Sequence, residues 1–130
     1  MGISNLGEAD LHFTKFGKNT TMTCTINSYE SAKKVPFDLD GRILLTSDRC
    51  ELIHLTLQAG ETLALHNQPF DVIFFIIAGE GILLIGSHEI PVKSSTTVEI
   101  KTGVLRGWKN PGPSELKLLV IKLFPMPSLS

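Results

Sequence analysis

The sequence from Val35 onward is a series of short β-forming runs separated by turn signals. The runs have the length of strands and recur roughly every eight to twelve residues: "RILLTS", "CELIHLTL", "ETLALH", "FDVIFFII", "GILLIG", "HEIPVK", "TTVEIK", "VLRGWK" and "ELKLLVIKLF". Turn residues stand between them, as in "DLDG", "QAGE", "AGEG", "KTG" and "NPGP". No helical periodicity interrupts the series. The pattern therefore predicts an all-β protein, an antiparallel sandwich or barrel.

The alternation of side chains within the runs predicts which strands face solvent. In "TTVEIK", Val98 and Ile100 share one side and polar residues the other, which is typical of a peripheral strand. In "VIFFII" both sides are apolar, so this strand is expected to be covered on both faces, by a second sheet or by another copy of the protein. We therefore expect a homodimer. Lys117 and Lys122 lie near the ends of the last long run, a pattern that discourages edge-to-edge association.

The length of 130 residues predicts one domain, since the chain can bury one core and is too short for two ordinary domains. Residues 1–32 are rich in Thr, Asn, Ser and Gly and predict an arm of loops with one strand near residues 22–26. This arm is expected to pack on its own barrel or on that of a partner. Residues 33–130 are expected to form the barrel, which ends where Pro125 and Pro127 stop any further pairing.

The composition excludes several classes of protein. The formal net charge is -1, with 12 basic and 13 acidic residues, so no electrostatic footprint for nucleic acid or for an anionic membrane is expected. The longest apolar run, "VIFFIIA", is far shorter than a membrane-spanning helix, and the N-terminus lacks a signal-peptide pattern. Cys24 and Cys50 form no metal-binding pair and are expected to be reduced thiols. These features predict a soluble, cytoplasmic protein whose partner is a small molecule or a second copy.

Two glycine-anchored segments carry a resemblance to a known family. The first runs from Gly60 through "ETLAL" to His66, Asn67 and Gln68 and closes at Gly79. The second is "KTGVLRGWKN", residues 101–110. In this order and spacing they resemble the two motifs of the cupins, which are small double-stranded β-helix (jelly-roll) barrels. The resemblance extends over about residues 40–124 and implies a jelly roll with a ligand pocket inside the barrel.

The metal-ligand positions implied by this resemblance are poorly filled. Cupin metal sites are built from two histidines and a glutamate of the first motif and a histidine of the second. The corresponding residues here are His66, Gln68, Val72 and Arg106. A transition metal needs several imidazole or carboxylate donors, and a guanidinium keeps its proton and cannot coordinate. We therefore expect no metal; iron, manganese, zinc or nickel would need an unconventional set of His66 with Asp71 or His54.

The residues expected to line the pocket are His66, Gln68, Asp71, Arg106, His54 and Trp108. His54 would approach His66 only if the mixed face of its strand, which also holds Cys50 and Thr56, lines the barrel. Four of the candidates have a structural alternative. Each histidine can be a hydrogen-bonded strand residue, Asp71 a turn residue after Pro69, and Trp108 a packed core side chain rather than a stacking platform.

Arg106 is the candidate with the most specific chemistry. A charged side chain inside an apolar barrel is costly unless it is paired or binds an anion, and its fork of donors suits a carboxylate. The alternatives are an Arg106 that points to solvent and one that pairs with Asp71 or Glu89. A pair with Asp71 inside the barrel would put a fixed ion pair in place of a metal.

The function expected from these observations is the binding of a small ligand, a carboxylate among the candidates, inside the barrel and without a metal. Whether any reaction is catalysed stays open. The alternative is a metal-dependent cupin enzyme of the dioxygenase or isomerase type, with a reduced ligand set that includes His66. A regulatory or purely structural role is the third reading.

Overall fold

The computed structural model describes residues 7–15 and 18–126, with side chains from residue 23 onward. These residues form strands in the order β1 (Gly7–Lys15), β2 (Lys18–Ile26), β3 (Lys33–Lys34), β4 (Asp40–Thr46), β5 (Cys50–Leu57), β6 (Thr62–His66), β7 (Asp71–Ala78), β8 (Glu80–Ile85), β9 (His88–Lys93), β10 (Thr97–Ile100), β11 (Arg106–Lys109) and β12 (Leu116–Leu123). The all-β prediction is confirmed. Within the described residues there is no helix long and apolar enough to cross a membrane.

The strands from β3 onward form two antiparallel sheets. One has six strands in the order β10-β7-β12-β5-β4-β3, and the other has four in the order β6-β11-β8-β9. Side chains of both sheets meet in one core, as the edge contact between Phe74 on β7 and Trp108 on β11 shows, with ring centroids 5.5 Å apart. The sheets therefore pack face to face, and the space between them is the interior of the barrel.

The core is made of the inward-facing side chains that the alternation of each strand supplies. Its buried apolar members are Val35, Leu39, Ile53, Leu55, Leu57, Val72, Phe74, Ile76, Leu83, Ile100, Trp108, Leu116, Leu118 and Val120. On β5 and β12 every second residue points inward, and the registers Ile53↔Val120 and Leu55↔Leu118 place these residues opposite each other. The more apolar face of β5 is thus the one that lines the barrel.

The prediction for the edges of the large sheet is correct at one strand and wrong at another. β10 lies at the sheet edge, with Ile100 turned inward opposite Val72, as "TTVEIK" indicates. β12 lies between β7 and β5, so its lysines protect no edge. The pattern misled because both faces of β12 are apolar over its middle, which is the mark of a central strand.

The N-terminal region contains more strand than its composition indicates. β1 and β2 pair along their whole length, from Gly7↔Ile26 to Lys15↔Lys18, and form a separate two-stranded sheet. The expectation of loops with a single strand near residues 22–26 is therefore wrong. The run "KNTTMTCTI" is polar, yet threonine is β-branched and suits an extended backbone. The boundary between an arm of residues 1–32 and a barrel of residues 33–130 stays a prediction.

Candidate functional site: a cavity between the two sheets

A cavity of about 230 Å³ lies in the barrel. Both sheets and two connecting segments line it, through Val35, Pro36, Phe37, Ile43, Glu51, Ile53, Leu55, Leu63, His66, Gln68, Phe74, Arg106, Val120 and Lys122. Most of the wall is aliphatic or aromatic, and the few polar groups converge on it from different strands. Such a wall is typical of a pocket for a small molecule, which the polar groups orient.

Arg106 is the buried charge of this cavity. Its side chain points inward from the first position of β11 and is 3% exposed. Nη1 donates a 3.1 Å hydrogen bond to the carbonyl oxygen of His66, and the guanidinium lies 5.8 Å from the centre of the Phe74 ring. Burial lowers the pKa of Arg106, but an arginine starts so high that the group stays protonated.

Arg106 has no acidic partner among the described residues. Asp71 accepts hydrogen bonds from the backbone N–H and the hydroxyl of Thr102, both 2.9 Å long. Glu89 forms an ion pair of 2.7 Å with Lys109 on the outside of the barrel. Both ion pairs considered from the sequence are therefore absent from these residues, as is an Arg106 turned to solvent. The guanidinium is left inside the barrel with one neutral acceptor.

The position of Arg106 depends on the local geometry of β11 against β6. Arg106 is in register with His66, but Trp108 is in register with Leu63, so a bulge separates the two pairs. Gly107 lies at this bulge, where an added Cβ would collide with the backbone carbonyl of Leu63. The absence of a side chain at residue 107 thus lets β6 approach closely enough for the His66 carbonyl to accept from Arg106.

His66 and Gln68 line the cavity beside Arg106. The Nδ1 atom of His66 lies 2.9 Å from the Ala64 carbonyl oxygen. A proton on Nδ1 satisfies this contact, and that tautomer leaves Nε2 as an acceptor. The backbone carbonyl of Gln68 accepts from the N–H of Gly103 at 2.9 Å, which ties the loop after β6 to the loop before β11. The polar cluster of the first motif and Arg106 of the second therefore meet, as the sequence indicates.

Asp71 holds the loop before β11 rather than lining the cavity. Its two hydrogen bonds from Thr102 cap the turn that follows β10, and Lys101 Nζ lies 3.8 Å from its second oxygen. The hydrogen bonds from Thr102, helped by the charge of Lys101, lower the pKa of Asp71. The structure thus favours the turn-residue interpretation of Asp71, and its carboxylate positions the segment that leads into Arg106.

Trp108 and Asn110 are buried on either side of the end of β11. Trp108 shares the inward face with Arg106 and is 0% exposed, and its Nε1 has no hydrogen-bond partner among the described residues. Asn110 donates to the carbonyls of Leu57 and Ser114 at 2.9 and 2.8 Å and accepts from the N–H of Gly112. Trp108 is therefore a core residue that contacts Phe74 in the cavity wall, and Asn110 fixes the following turn.

His54 lies on the outer face of β5 and does not reach the cavity. It lines a separate surface depression with Tyr29, Glu30, Asp40, Thr56, Glu115 and Lys117. Its ring meets Tyr29 edge-on at 5.3 Å, and its Nδ1 is buried without a partner among the described residues. Burial, and to a lesser extent the charge of Lys117, lower the pKa of His54. The condition under which His54 would approach His66, a mixed face turned inward, is not met.

Comparison with models of protein families assigns the chain to one family. The model of the cupin domain matches residues 53–122, more than half of the sequence. The chain belongs to the cupin family. No curated protein sequence matches it.

Solved structures of other proteins share the fold at low sequence identity. An uncharacterised protein with a double-stranded β-helix domain from Klebsiella pneumoniae has a TM-score of 0.66 and 16% identity, over 74% of this chain and 86% of that one. A predicted oxalate decarboxylase from Thermotoga maritima has a TM-score of 0.64 and 19% identity, over 67% and 81%. An RmlC-like cupin from Methanocaldococcus jannaschii has a TM-score of 0.62 and 22% identity, over 66% and 80%. The predicted double-stranded β-helix is confirmed.

The residues of this cupin do not fit the metal that the family resemblance implies. No group of three or more His, Cys, Asp or Glu side chains suited to a metal occurs among the described residues. Of the four ligand positions, His66 alone offers an imidazole, and Val72 is an apolar core residue. Arg106 holds a permanent positive charge in the same cavity, which opposes any cation there.

Four polar or aromatic residues of the cavity were missed by the sequence interpretation: Glu51, Lys122, Phe37 and Phe74. Glu51 precedes Ile53 and Leu55 on the inward face of β5, and Lys122 follows Val120 on the inward face of β12. Strand alternation carried this signal, because a residue two positions from a core residue shares its face. Charged side chains are mostly exposed in folded proteins, so the residue types alone point away from the inward position that the strand geometry gives Glu51 and Lys122.

Proposed function

We propose that this cupin binds a small organic carboxylate in the cavity between its sheets, with Arg106 as the anion-binding residue and without a metal. One observation carries the proposal: a guanidinium that is 3% exposed has a single neutral hydrogen-bond acceptor and no acidic partner among the described residues. A carboxylate would supply the missing charge, and the planar fork of arginine binds it with two parallel hydrogen bonds.

The energetics support an anionic ligand. Burying a charge without a partner lowers the stability of a protein by roughly several kcal/mol. A folded protein therefore keeps such a charge only where another group or a ligand compensates it. The cavity lining has one more positive than negative group, since Glu51 pairs with Lys122 and Arg106 remains. The low dielectric of an apolar pocket strengthens this attraction for an anion. Gln68 and His66 stand beside Arg106 and offer further hydrogen bonds to the same group.

We also propose that the protein acts in the cytoplasm, as its sequence predicts. Cys24 and Cys50 are free thiols in the structure, and the reducing environment of the cytoplasm keeps thiols unpaired.

Thermal unfolding in the presence of paired ligands tests the proposal. Carboxylates such as butyrate, pentanoate and benzoate are compared with their uncharged amides. Wild-type protein is expected to be stabilised by carboxylates and not by amides, because ligand bound to the folded state alone raises its stability. Arg106→Met should abolish the shift. Arg49→Met is the matched control, since it removes an arginine from an exposed loop outside the cavity.

Arg106→Met has a second expected effect that separates function from folding. Replacing an uncompensated buried charge with an apolar chain of similar length should raise the free energy of unfolding of the ligand-free protein by about 1–4 kcal/mol. A stable Arg106→Met protein without the carboxylate shift supports the proposal. Equal shifts in wild type and Arg106→Met would contradict it.

Metal analysis of untagged protein addresses the metal-dependent alternative. The proposal expects substoichiometric iron, manganese, zinc and nickel in wild type and in His66→Ala alike. Near-stoichiometric metal that disappears in His66→Ala would overturn the metal-free site.

A further inference from the structure

The cavity contains a second polar site opposite Arg106, formed by Glu51 on β5 and Lys122 on β12. The two residues are in register on neighbouring strands of the six-stranded sheet, and Lys122 Nζ lies 3.2 Å from Glu51 Oε1. Their side chains are 20% and 23% exposed, so most of each lies inside the wall. Arg106 and His66 approach the same cavity from the four-stranded sheet. A ligand in the cavity therefore has charged groups on both sides.

The Glu51–Lys122 pair is poorly explained as a stabilising contact. A largely buried ion pair loses about as much in desolvation as it gains by attraction, and apolar residues usually do as well at such positions. The neighbouring inward residues of the same strands, Ile53 and Val120, are apolar. The hydrogen-bonding groups of the pair are also only partly satisfied. Among the described residues it makes one hydrogen bond, so two N–H groups of Lys122 and one oxygen of Glu51 remain free.

The chemistry of the pair selects a neutral group that both donates and accepts. An ammonium group would be attracted by Glu51 and repelled by Lys122. A second carboxylate would be attracted by Lys122 and repelled by Glu51. A hydroxyl donates its hydrogen to the free oxygen of Glu51 and accepts from Lys122, so it satisfies both without adding charge. The apolar side chains that line the same cavity, among them Ile53 and Phe74, suit a short carbon chain.

We infer that the ligand is a hydroxycarboxylate, whose carboxylate binds Arg106 and whose hydroxyl, separated by a short carbon chain, binds the Glu51–Lys122 pair. The inference rests on the proposed function, since it presumes a carboxylate on Arg106. It assigns to Glu51 and Lys122 the role of determining specificity for the far end of the ligand.

Calorimetric titration with four probes of one chain length tests the inference. The probes are 4-hydroxybutyrate, pentanoate, 4-aminobutyrate and glutarate, which share a carboxylate and three methylene groups and differ in the terminal group alone. The series is repeated with one and with two further methylenes so that chain length does not decide the result. At the best length we expect the hydroxyl compound to bind about tenfold or more tightly than its methyl counterpart, because a hydrogen-bonding site rejects an analogue that leaves it unpaired.

Variants assign the preference to the pair. In the double variant Glu51→Leu/Lys122→Met, which removes both charges together, the hydroxyl and methyl compounds are expected to bind equally while carboxylate binding persists. Glu89→Gln/Lys109→Met, which removes the ion pair on the outer surface, should leave the preference unchanged. Fluorescence of Trp108, the single tryptophan of the chain, gives an independent readout, since its ring contacts Phe74 in the cavity wall.

The outcomes distinguish this inference from the proposed function. If all carboxylates bind through Arg106 with no preference for the hydroxyl at any length, the hydroxycarboxylate inference fails and carboxylate binding stands. A preference for the ammonium or the second carboxylate would overturn it in the same way. If none of the probes binds, or if binding survives in Arg106→Met, the proposed function itself fails. A preference that persists in the double variant would remove Glu51 and Lys122 from the site.

Discussion

The polar residues in and around the two motifs of this cupin fall into two groups that differ in how their hydrogen bonds are satisfied. Asn110 makes three bonds at its turn, and Asp71 accepts two from Thr102. Arg106 makes one bond and has five N–H donors. Satisfied groups stabilise the fold they sit in, whereas an unsatisfied charge facing a cavity indicates a ligand. This difference separates the structural residues of the motifs from the one proposed to function.

His54 predicts a dependence of stability on pH. Burial lowers its pKa below the ordinary 6.5, so as the pH falls the unfolded chain takes up the proton before the folded protein does. The free energy of unfolding should therefore decrease as the pH falls below about 6.5, down to the folded-state pKa. His54→Phe keeps an aromatic edge against Tyr29 and removes this titration. It should match wild type at pH 8 and be more stable than wild type at pH 5, measured by urea unfolding.

His66→Gln is the control for this pH effect, because His66 lies at the cavity and not in the depression around His54. It should keep the pH dependence of the wild type. The same slope between pH 8 and pH 5 in His54→Phe and in wild type would show that other groups cause the effect. The carboxylates of Asp71 and Asp40 have lowered pKa values and act in a separate window, since their stabilisation is lost as the pH falls below about 4.

At the scale of elements, the short strand β11 combines three requirements in three consecutive residues. Arg106 faces the cavity, Gly107 permits the close approach of β6, and Trp108 fills the core. The loop before β11 is tied to the loop after β6 by the hydrogen bonds of Asp71 and Gln68. The backbone of two strands and two loops thus fixes the position of Arg106. The guanidinium itself makes one hydrogen bond, to the His66 carbonyl.

Gly107→Ala should disturb the site through the backbone. The new methyl group would collide with the carbonyls of Leu63 and Ala64 on β6, which are backbone atoms and cannot rotate away. We expect a loss of about 1–3 kcal/mol in the free energy of unfolding and a weaker carboxylate shift. Gly112→Ala is the control, because its Cβ would make an ordinary contact 3.6 Å from Asn110 Oδ1. A Gly107→Ala protein with wild-type stability and binding would show that the bulge does not position Arg106.

The strands were predictable from the sequence where apolar and polar side chains alternate clearly along the chain. The runs "CELIHLTL" and "HEIPVK" coincide with β5 and β9, because two-residue periodicity and turn residues mark both ends. The inward faces of β5 and β10 follow from the same pattern. The hairpin of β1 and β2 was missed because its threonines are polar and resemble loop residues, and only the pairing of two such segments makes them strands.

The candidate site was predictable in part. His66, Gln68 and Arg106 meet because the family motifs place them on neighbouring strands, and the sequence gives their order and spacing. The sequence could not show whether Arg106 faces inward. β11 has only four residues, and the residue after Arg106 is a glycine, so there are too few side chains for the alternation pattern to decide. The outward position of His54 did have a signal, since it alternates with Ile53 and Leu55. The roles of loop residues such as Asp71 depend on long-range contacts that no local pattern encodes.

At the scale of the whole molecule, the two faces of the six-stranded sheet contrast with each other. The inner face surrounds the cavity, and the outer face carries an apolar stripe across the three central strands. The registers Leu119↔Phe75, Ile121↔Ile73 and Ile121↔Leu52 place these side chains side by side. At the rim, Leu45 and Ile77 are 40% and 39% exposed. A contiguous apolar stripe on a single chain is typical of a surface that binds another protein.

The homodimer expected from "VIFFII" stays a prediction, and Ile121 offers the means to test it. Ile121→Lys places a charge in the middle of the stripe, on the face of β12 opposite the core, so it should prevent association without unfolding the barrel. Sedimentation equilibrium is expected to show a dimer for wild type and a monomer for Ile121→Lys, with similar unfolding midpoints at low protein concentration. Leu84→Lys is the control, because Leu84 lies on the outer face of the four-stranded sheet opposite Gly107. A wild type that stays monomeric at all concentrations, or an Ile121→Lys protein that still dimerises, would exclude this face as the interface.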